Sequence, residues 1–202
     1  MRLKGLFAAF LTACFASFAL LGCGDSLPQA SIKSRSSVNA SDTIKIASFN
    51  IQVFGVSKIG KPHVMDILAK IVRQYDIVAI QEIRAVSDEI MPTFTRLINE
   101  EGARYDFVIG PRLGRTHSKE QYAYVYDTNR IELFPNSVYT AADPKDKLHR
   151  EPLVARFRVR GLPPSEAFTF SLVNIHTDPD EAKTEVDALA DVFVAVQNDG
   201  SG

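Results

Sequence analysis

The stretch "DIVAIQE", residues 76–82, does most to decide what this chain can fold into. It reads as a nearly continuous apolar strand that closes on Gln81 and Glu82. Immediately before it, "KPHVMDILAKIVRQY" (61–75) repeats apolar residues at helical spacing, with Val64, Ile67, Leu68, Ile71 and Val72 on one face and Pro62 suited to the first turn. Upstream, "DTIKIASFNIQVFG" (42–55) opens as a strand with Ile44, Ile46 and Ser48 on one face and Lys45, Ala47 and Phe49 on the other, until Asn50 interrupts it. Residues 87–100 return to the helical pattern through Ile90, Met91, Phe94, Leu97 and Ile98, and Pro92 leaves the start of that helix open. Strands follow at 105–110, 120–127, 152–160 and 167–176, the second with Tyr122, Tyr124 and Tyr126 on one face, and a helix over 180–198 with Val186, Leu189, Phe193 and Val196. Two helix–strand pairs and then a run of antiparallel candidates predict a layered α/β fold whose helices flank packed sheets.

Length and composition agree with one such domain: 202 residues, 46% of them hydrophobic and 23% charged, suffice for one core. The first residues stand apart from it. Arg2 and Lys4 precede an uncharged apolar run from Leu6 to Gly22, which reads as a secretory signal over residues 1–22. Leu20-Leu21-Gly22-Cys23 resembles the bacterial lipobox, so Cys23 is expected to carry lipid and to anchor an exported protein at a membrane. Asp25 does not directly follow the cysteine, and the outer membrane is the favoured location. Cys14 lies within the removed segment, which leaves no disulfide framework. Residues 23–41, polar and serine-rich after the cysteine, read as a flexible tether, and 42–202 as the domain. Without Arg2 and Lys4, 23 basic residues become 21 against 24 acidic ones, a charge of −3. A polyanion-binding tail is excluded, and any nucleic-acid surface must be a local patch such as Arg112, Arg115 and Lys119 in the loop 111–119.

Four polar residues sit where apolar strands begin or end: Asn50, Glu82, Glu120 and His176. Ligand sites in layered α/β proteins favour such ends, because loops converge there. Each residue also has a plain structural reading: Asn50 as a turn former, Glu82 and Glu120 as solvated strand ends, and His176 as the lead into the last helix. Glu82 stands out, since a carboxylate after "DIVAIQ" is costly unless it is paired or bound to metal.

Taken in order, "IKIASFNIQVFG", "DIVAIQEIR", "LGRTHSKEQYAYVYD", "REPLVARF" and "LVNIHTDPDEA" resemble the deoxyribonuclease I family of the endonuclease/exonuclease/phosphatase superfamily, from about residue 43 onward. The resemblance implies an α/β/β/α sandwich and a divalent-metal-dependent phosphodiesterase, foremost a DNA endonuclease, using Mg²⁺ or alternatively Ca²⁺ and no small-molecule organic cofactor. It implies that Asn50 and Glu82 face the metal and the scissile phosphate, that Glu82 binds the cation, that His176 moves protons, and that Glu120 orients His176. Arg84 is expected in the minor groove of duplex DNA and Arg150 at a phosphate, with a surface arginine as the alternative for Arg150; Arg115 belongs to the basic patch. His63, His117 and His149 match no catalytic position and read as surface residues.

Two residues depart from the family pattern. Ser118 stands where a tyrosine packs on the sugar, and Gln52 stands where the family has arginine. These keep a lipid or phosphoinositide phosphodiesterase open as an alternative. The resemblance also implies a Gly-Asp-Phe-Asn and a Ser-Asp-His that the sequence does not contain. The expectation is therefore a truncated chain, roughly the first half of the fold with half of the catalytic set, inactive alone; a non-catalytic remnant binding nucleic acid or a partner is the further alternative.

Overall fold

The structure, a computed structural model, describes residues 43–200. The expected signal segment 1–22, Cys23 and the tether 23–41 lie outside the described residues. Among the described residues, no helix is long and apolar enough to cross a membrane.

The chain begins with strand β1 (Ile46–Phe54), a single-turn helix α1 (Val56–Ile59), helix α2 (Pro62–Val72), strand β2 (Ile77–Ile83), helix α3 (Ile90–Asn99), and strands β3 (Tyr105–Ile109) and β4 (Gln121–Asp127). Strands β5 (Ile131–Leu133), β6 (Tyr139–Thr140), β7 (Leu153–Val159) and β8 (Thr169–Asn174) follow, and helix α4 (Ala182–Gln197) closes the described chain. One sheet has the order β1-β2-β4-β3, with β1 and β2 parallel and the other pairs antiparallel. In the second sheet β7 pairs β8 over Leu153–Arg158, and pairs β5 and β6 as well.

Three apolar clusters separate four layers. Val78 and Ile80 of β2 and Ala123 and Val125 of β4 pack on α2 and α3. The opposite face carries Ile77, Tyr122, Tyr124 and Tyr126 against Leu153, Ala155 and Phe157 of the second sheet, with Phe157 edge-on to Tyr124 and Tyr126. Val154 points the other way, toward Ala188 and Val192 of α4. β2 is therefore apolar on both faces because helices cover one and a sheet the other. The architecture is the α/β/β/α sandwich that the sequence resemblance implies.

Local differences have physical reasons. Pro92 falls in the first turn of α3, where its missing N–H breaks no helical bond. On α2 the buried face is Met65, Leu68, Ala69 and Val72, while Ile67 is 55% exposed. The small Ala69 allows the closer approach. On α4 the expected Val186 and Phe193 lie outward, and Glu185, Ala188 and Val192 are buried instead. That helix is turned by Glu185, whose carboxylate is drawn inward by two backbone N–H groups.

Candidate active site

β1 does not end at Asn50. It continues to Phe54 through a break in register, since Asn50 pairs Gln81 and the next pair is Phe54 with Ile83. Three residues of β1 thus stand opposite one of β2, a bulge that bends the strand and re-aims its groups. Gln52 (φ 48°), Val53 (φ 56°) and Glu82 (φ 61°) all adopt left-handed backbone there. That conformation is costly for non-glycine residues, above all a β-branched valine. The compensation is a set of short hydrogen bonds. Gln52 N–H donates to Asn50 Oδ1 at 2.7 Å, Val53 N–H to Glu82 Oε2 at 2.7 Å, and Asn50 Nδ2 to Glu82 Oε1 at 2.8 Å.

His176 completes the array from the second sheet, two residues beyond β8. Its Nε2 lies 3.4 Å from Asn50 Nδ2 and 3.7 Å from Glu82 Oε1, and its Nδ1 lies 2.9 Å from Glu120 Oε2. Glu120 is 3% exposed and sits at the foot of β4, paired with Leu113 across a bridge. Gly114, at φ 131°, permits the return of the loop between them. With Glu120 as acceptor, the imidazole proton is assigned to Nδ1, which leaves Nε2 free to take up and release a proton on the Glu82 side. The four strand-end residues read from the sequence are thus drawn together from four segments.

The Glu82 carboxyl titrates below the ordinary carboxylate range. Burial pushes it up, but the Asn50 amide and the Val53 N–H, with the charges of His176 and Arg84, more than offset that. Both of its oxygens are hard donors with lone pairs to spare beyond the bonds already made. Among the described residues there is no group of three or more His, Cys, Asp or Glu side chains able to hold a metal ion. Glu82 offers one carboxylate, while the Asn50 amide turns its Nδ2 to Glu82 and His176 and its Oδ1 to Gln52 N–H, so a hard divalent cation here would take Glu82, water and at most the second lone pair of Asn50 Oδ1.

Several residues hold His176 from behind. Tyr122 Oη accepts the His176 N–H at 3.0 Å, and the Arg150 guanidinium donates to the His176 carbonyl through Nη2 at 3.2 Å and Nε at 3.4 Å. Arg150 is 5% exposed and its Nη1 lies 3.7 Å from Glu120 Oε1, so the surface-arginine alternative does not hold. Arg84 Nε reaches within 3.6 Å of the same oxygen, with the side chain 32% exposed beside the array. Beneath it, Gln81 Nε2 donates to Asn174 Oδ1 at 2.6 Å, and Asn174 Nδ2 donates to the Ile80 and Ala123 carbonyls, a buried polar tie between the sheets.

Other placements correct the sequence reading. Arg115 is paired with Glu181 at 2.7 Å and with Asp146, and Arg112 donates to the carbonyls of Arg84, Ala85 and Lys119. Two of the three cations of the expected basic patch are thereby engaged within the molecule. His149 is 8% exposed and not a surface residue; its Nδ1 faces Asp178 at 3.8 Å and Glu181 at 4.0 Å. His63 and His117 are exposed. Asn174 and Glu185 are supports that sequence reasoning missed, and Arg150, expected at a phosphate, holds the His176 carbonyl instead. The argument that singled out Glu82, a polar group in an apolar run, applies equally to Asn174 in "SLVNIH".

The family profile described as the Endonuclease/Exonuclease/phosphatase family matches residues 47–202. Over 160 residues the chain is 33% identical to deoxyribonuclease gamma of Rattus norvegicus, covering 77% of this chain and 51% of that protein. Over 159 residues it is 34% identical to deoxyribonuclease-1 of Oryctolagus cuniculus, covering 77% and 56%. A crystal structure of an endonuclease/exonuclease/phosphatase family protein from Bacteroides thetaiotaomicron superposes with a TM-score of 0.55 at 16% identity, covering 79% of this chain and 58% of that one. The chain spans about half the length of the curated relatives it matches. With the fold, the array and these likenesses together, the chain belongs to the Endonuclease/Exonuclease/phosphatase family, and within it is similar to the deoxyribonucleases.

Proposed function

We propose that the array of Asn50, Glu82, Glu120 and His176 serves divalent-metal-dependent hydrolysis of a phosphodiester, with duplex DNA as substrate and a nick as product. The single observation that carries this reading is His176, held by Glu120 at 2.9 Å on one nitrogen while the other faces Asn50 and Glu82 at 3.4 and 3.7 Å. Deoxyribonuclease relatives at 33–34% identity support the choice of DNA.

Glu82 would hold Mg²⁺, with Ca²⁺ as the alternative occupant, and Asn50 would join through the Oδ1 lone pair that Gln52 N–H leaves free. When bound, the cation offsets the negative charge that builds on the phosphate oxygens and repels an incoming hydroxide. His176 transfers a proton at Nε2, while Glu120 keeps the ring oriented and favours the imidazolium as it forms. The Asn50 amide, locked by Gln52 N–H and Glu82, stays put as charge shifts around it. Arg84, half-exposed at the rim, is the residue to meet the DNA backbone or the narrow negative groove. Arg115 and Arg150 act mainly within the protein on this reading, because carboxylates or a carbonyl already occupy them.

The test is nicking of supercoiled plasmid with protein in excess over DNA. Turnover is expected to be small, so protein is kept in excess to bring it into view. That turnover should need Mg²⁺ and fall about a hundredfold in Glu82→Gln and in His176→Ala, the usual scale for a positioned acid–base group. Nicking that survives both substitutions, or that does not need a divalent cation, contradicts the reading. For location, we propose lipid on Cys23 and the outer membrane, supported by Leu20-Leu21-Gly22-Cys23. Cys23→Ser should abolish labelling by a fatty-acid probe and shift the protein out of the membrane fraction; unchanged label and fractionation refute it.

A further inference from the structure

The bulge leaves Ile51, Gln52 and Val53 without partners in the β1–β2 register, and the carbonyls of Ile51 and Gln52 turn to one side of it. Both are taken by one side chain. Lys58 Nζ, in the short turn of helix α1, donates to Ile51 O and to Gln52 O at 2.5 Å each. The other ends of those same two peptide units are the N–H groups of Gln52 and Val53, which donate to Asn50 Oδ1 and Glu82 Oε2.

A trans peptide is planar and rigid, with its C=O and N–H pointing in opposite directions. An oxygen held toward Lys58 therefore aims its N–H away from Lys58. In both peptides that aim falls on a side chain of the proposed cation site. The ammonium also polarises each peptide, so the N–H it backs becomes a stronger donor. Consecutive left-handed residues such as Gln52 and Val53 persist only where surroundings over-determine them. Lys58 supplies that from one side, and Asn50 and Glu82 from the other.

We propose that Lys58 is a positioning residue, which fixes Asn50 and Glu82 through the peptides 51–52 and 52–53 without touching cation or substrate. The proposal rests on the reading of Asn50 and Glu82 as the cation site, and it adds a requirement: the cation affinity depends on a lysine on the far side of the backbone. Conventional surface lysines leave no such trace, because their ammonium groups exchange freely with water.

Two measurements on the 202-residue chain test it. Amide hydrogen exchange without metal reads the peptides directly, and Mn²⁺ binding followed by electron paramagnetic resonance reads the site. In Lys58→Met the Gln52 and Val53 amides should exchange about tenfold faster, the scale of a lost charge-assisted bond, while β4 amides stay unchanged. Mn²⁺ affinity should fall about tenfold, and Lys58→Arg, whose fork offers two parallel donors, should recover most of it. Should Lys58→Met fail to fold, Lys58→Gln, with a neutral amide donor, is read at the same two amides and should show an intermediate change. Wild-type exchange at Gln52 and Val53 together with wild-type Mn²⁺ affinity would overturn the role of Lys58. A wild-type chain that binds no Mn²⁺, or a Glu82→Gln chain that binds it equally, would instead overturn the cation reading, and the two amides would still decide for or against Lys58.

Discussion

Glu185 is fully buried, at 0% exposure, and both of its oxygens accept backbone N–H bonds: His149 N at 2.5 Å and Asp178 N at 2.6 Å. One bond secures the segment that leads into Arg150, the other the segment just after His176, so this residue on α4 braces the site from its rear. Replacing it by alanine removes two bonds to a charged acceptor, each about 1.5–3 kcal/mol, and leaves the buried His149 N–H and the half-buried Asp178 N–H unpaired. The expected loss is therefore about 3–6 kcal/mol, a large part of the roughly 5–15 kcal/mol that holds a domain folded. Glu185→Gln keeps the shape and one acceptor but sets an NH₂ against an N–H, so about half of that loss is expected. Urea unfolding with linear extrapolation measures both, and Glu185→Gln remains informative if the alanine variant does not fold. Amide exchange at His149 and Asp178 should accelerate with it. An alanine variant less than about 1 kcal/mol weaker than wild type would refute the reasoning.

Two further outcomes follow from the same geometry. Arg150→Met should destabilise the domain by about 3–5 kcal/mol, because it leaves buried Glu120 with less compensating charge and frees the His176 carbonyl; a change near zero in urea unfolding would point to an arginine that serves only external ligands. Tyr105 and Tyr126 have phenols pushed up to about 12, first by burial and then by nearby carboxylates. A proton held more tightly in the folded state adds stability that is fully present below about pH 10 and is lost as pH rises through about 12. Ultraviolet difference titration should accordingly show these tyrosines ionising late and together with loss of structure; ionisation near pH 10 with the fold intact would contradict it.

How much was legible follows from the range of each interaction. The apolar run of β2, the tyrosine face of β4 and the existence of α2, α3 and α4 are local patterns, and they predict four layers without any long-range information. Asn50, Glu82, Glu120 and His176 were visible as polar groups bounding apolar strands. Their convergence came only with the family resemblance and not from any local pattern, because the bonds that join them span 32 to 126 residues of sequence. The bulge was not visible either: no propensity places Val53 in a left-handed conformation, and its reason lies in Glu82 and Lys58. The helix faces of α2 and α4 were misjudged for a related cause. Periodicity ranks residues by apolarity, whereas Ala69 is buried for its size and Glu185 for its hydrogen bonds. His149 and Arg150 carried charge-bearing side chains into the interior on the same terms.

On the proposed function, Glu82 and Asn50 hold a divalent cation beside His176. The most direct measurement is a Mg²⁺ titration that follows the imidazole resonances, since the chain has four histidines to compare. The His176 ring should shift along a saturable curve while exposed His63 and His117 stay unchanged, and the shift should vanish in Glu82→Gln. A His176 ring that ignores Mg²⁺, or that responds equally in Glu82→Gln, would contradict the claim.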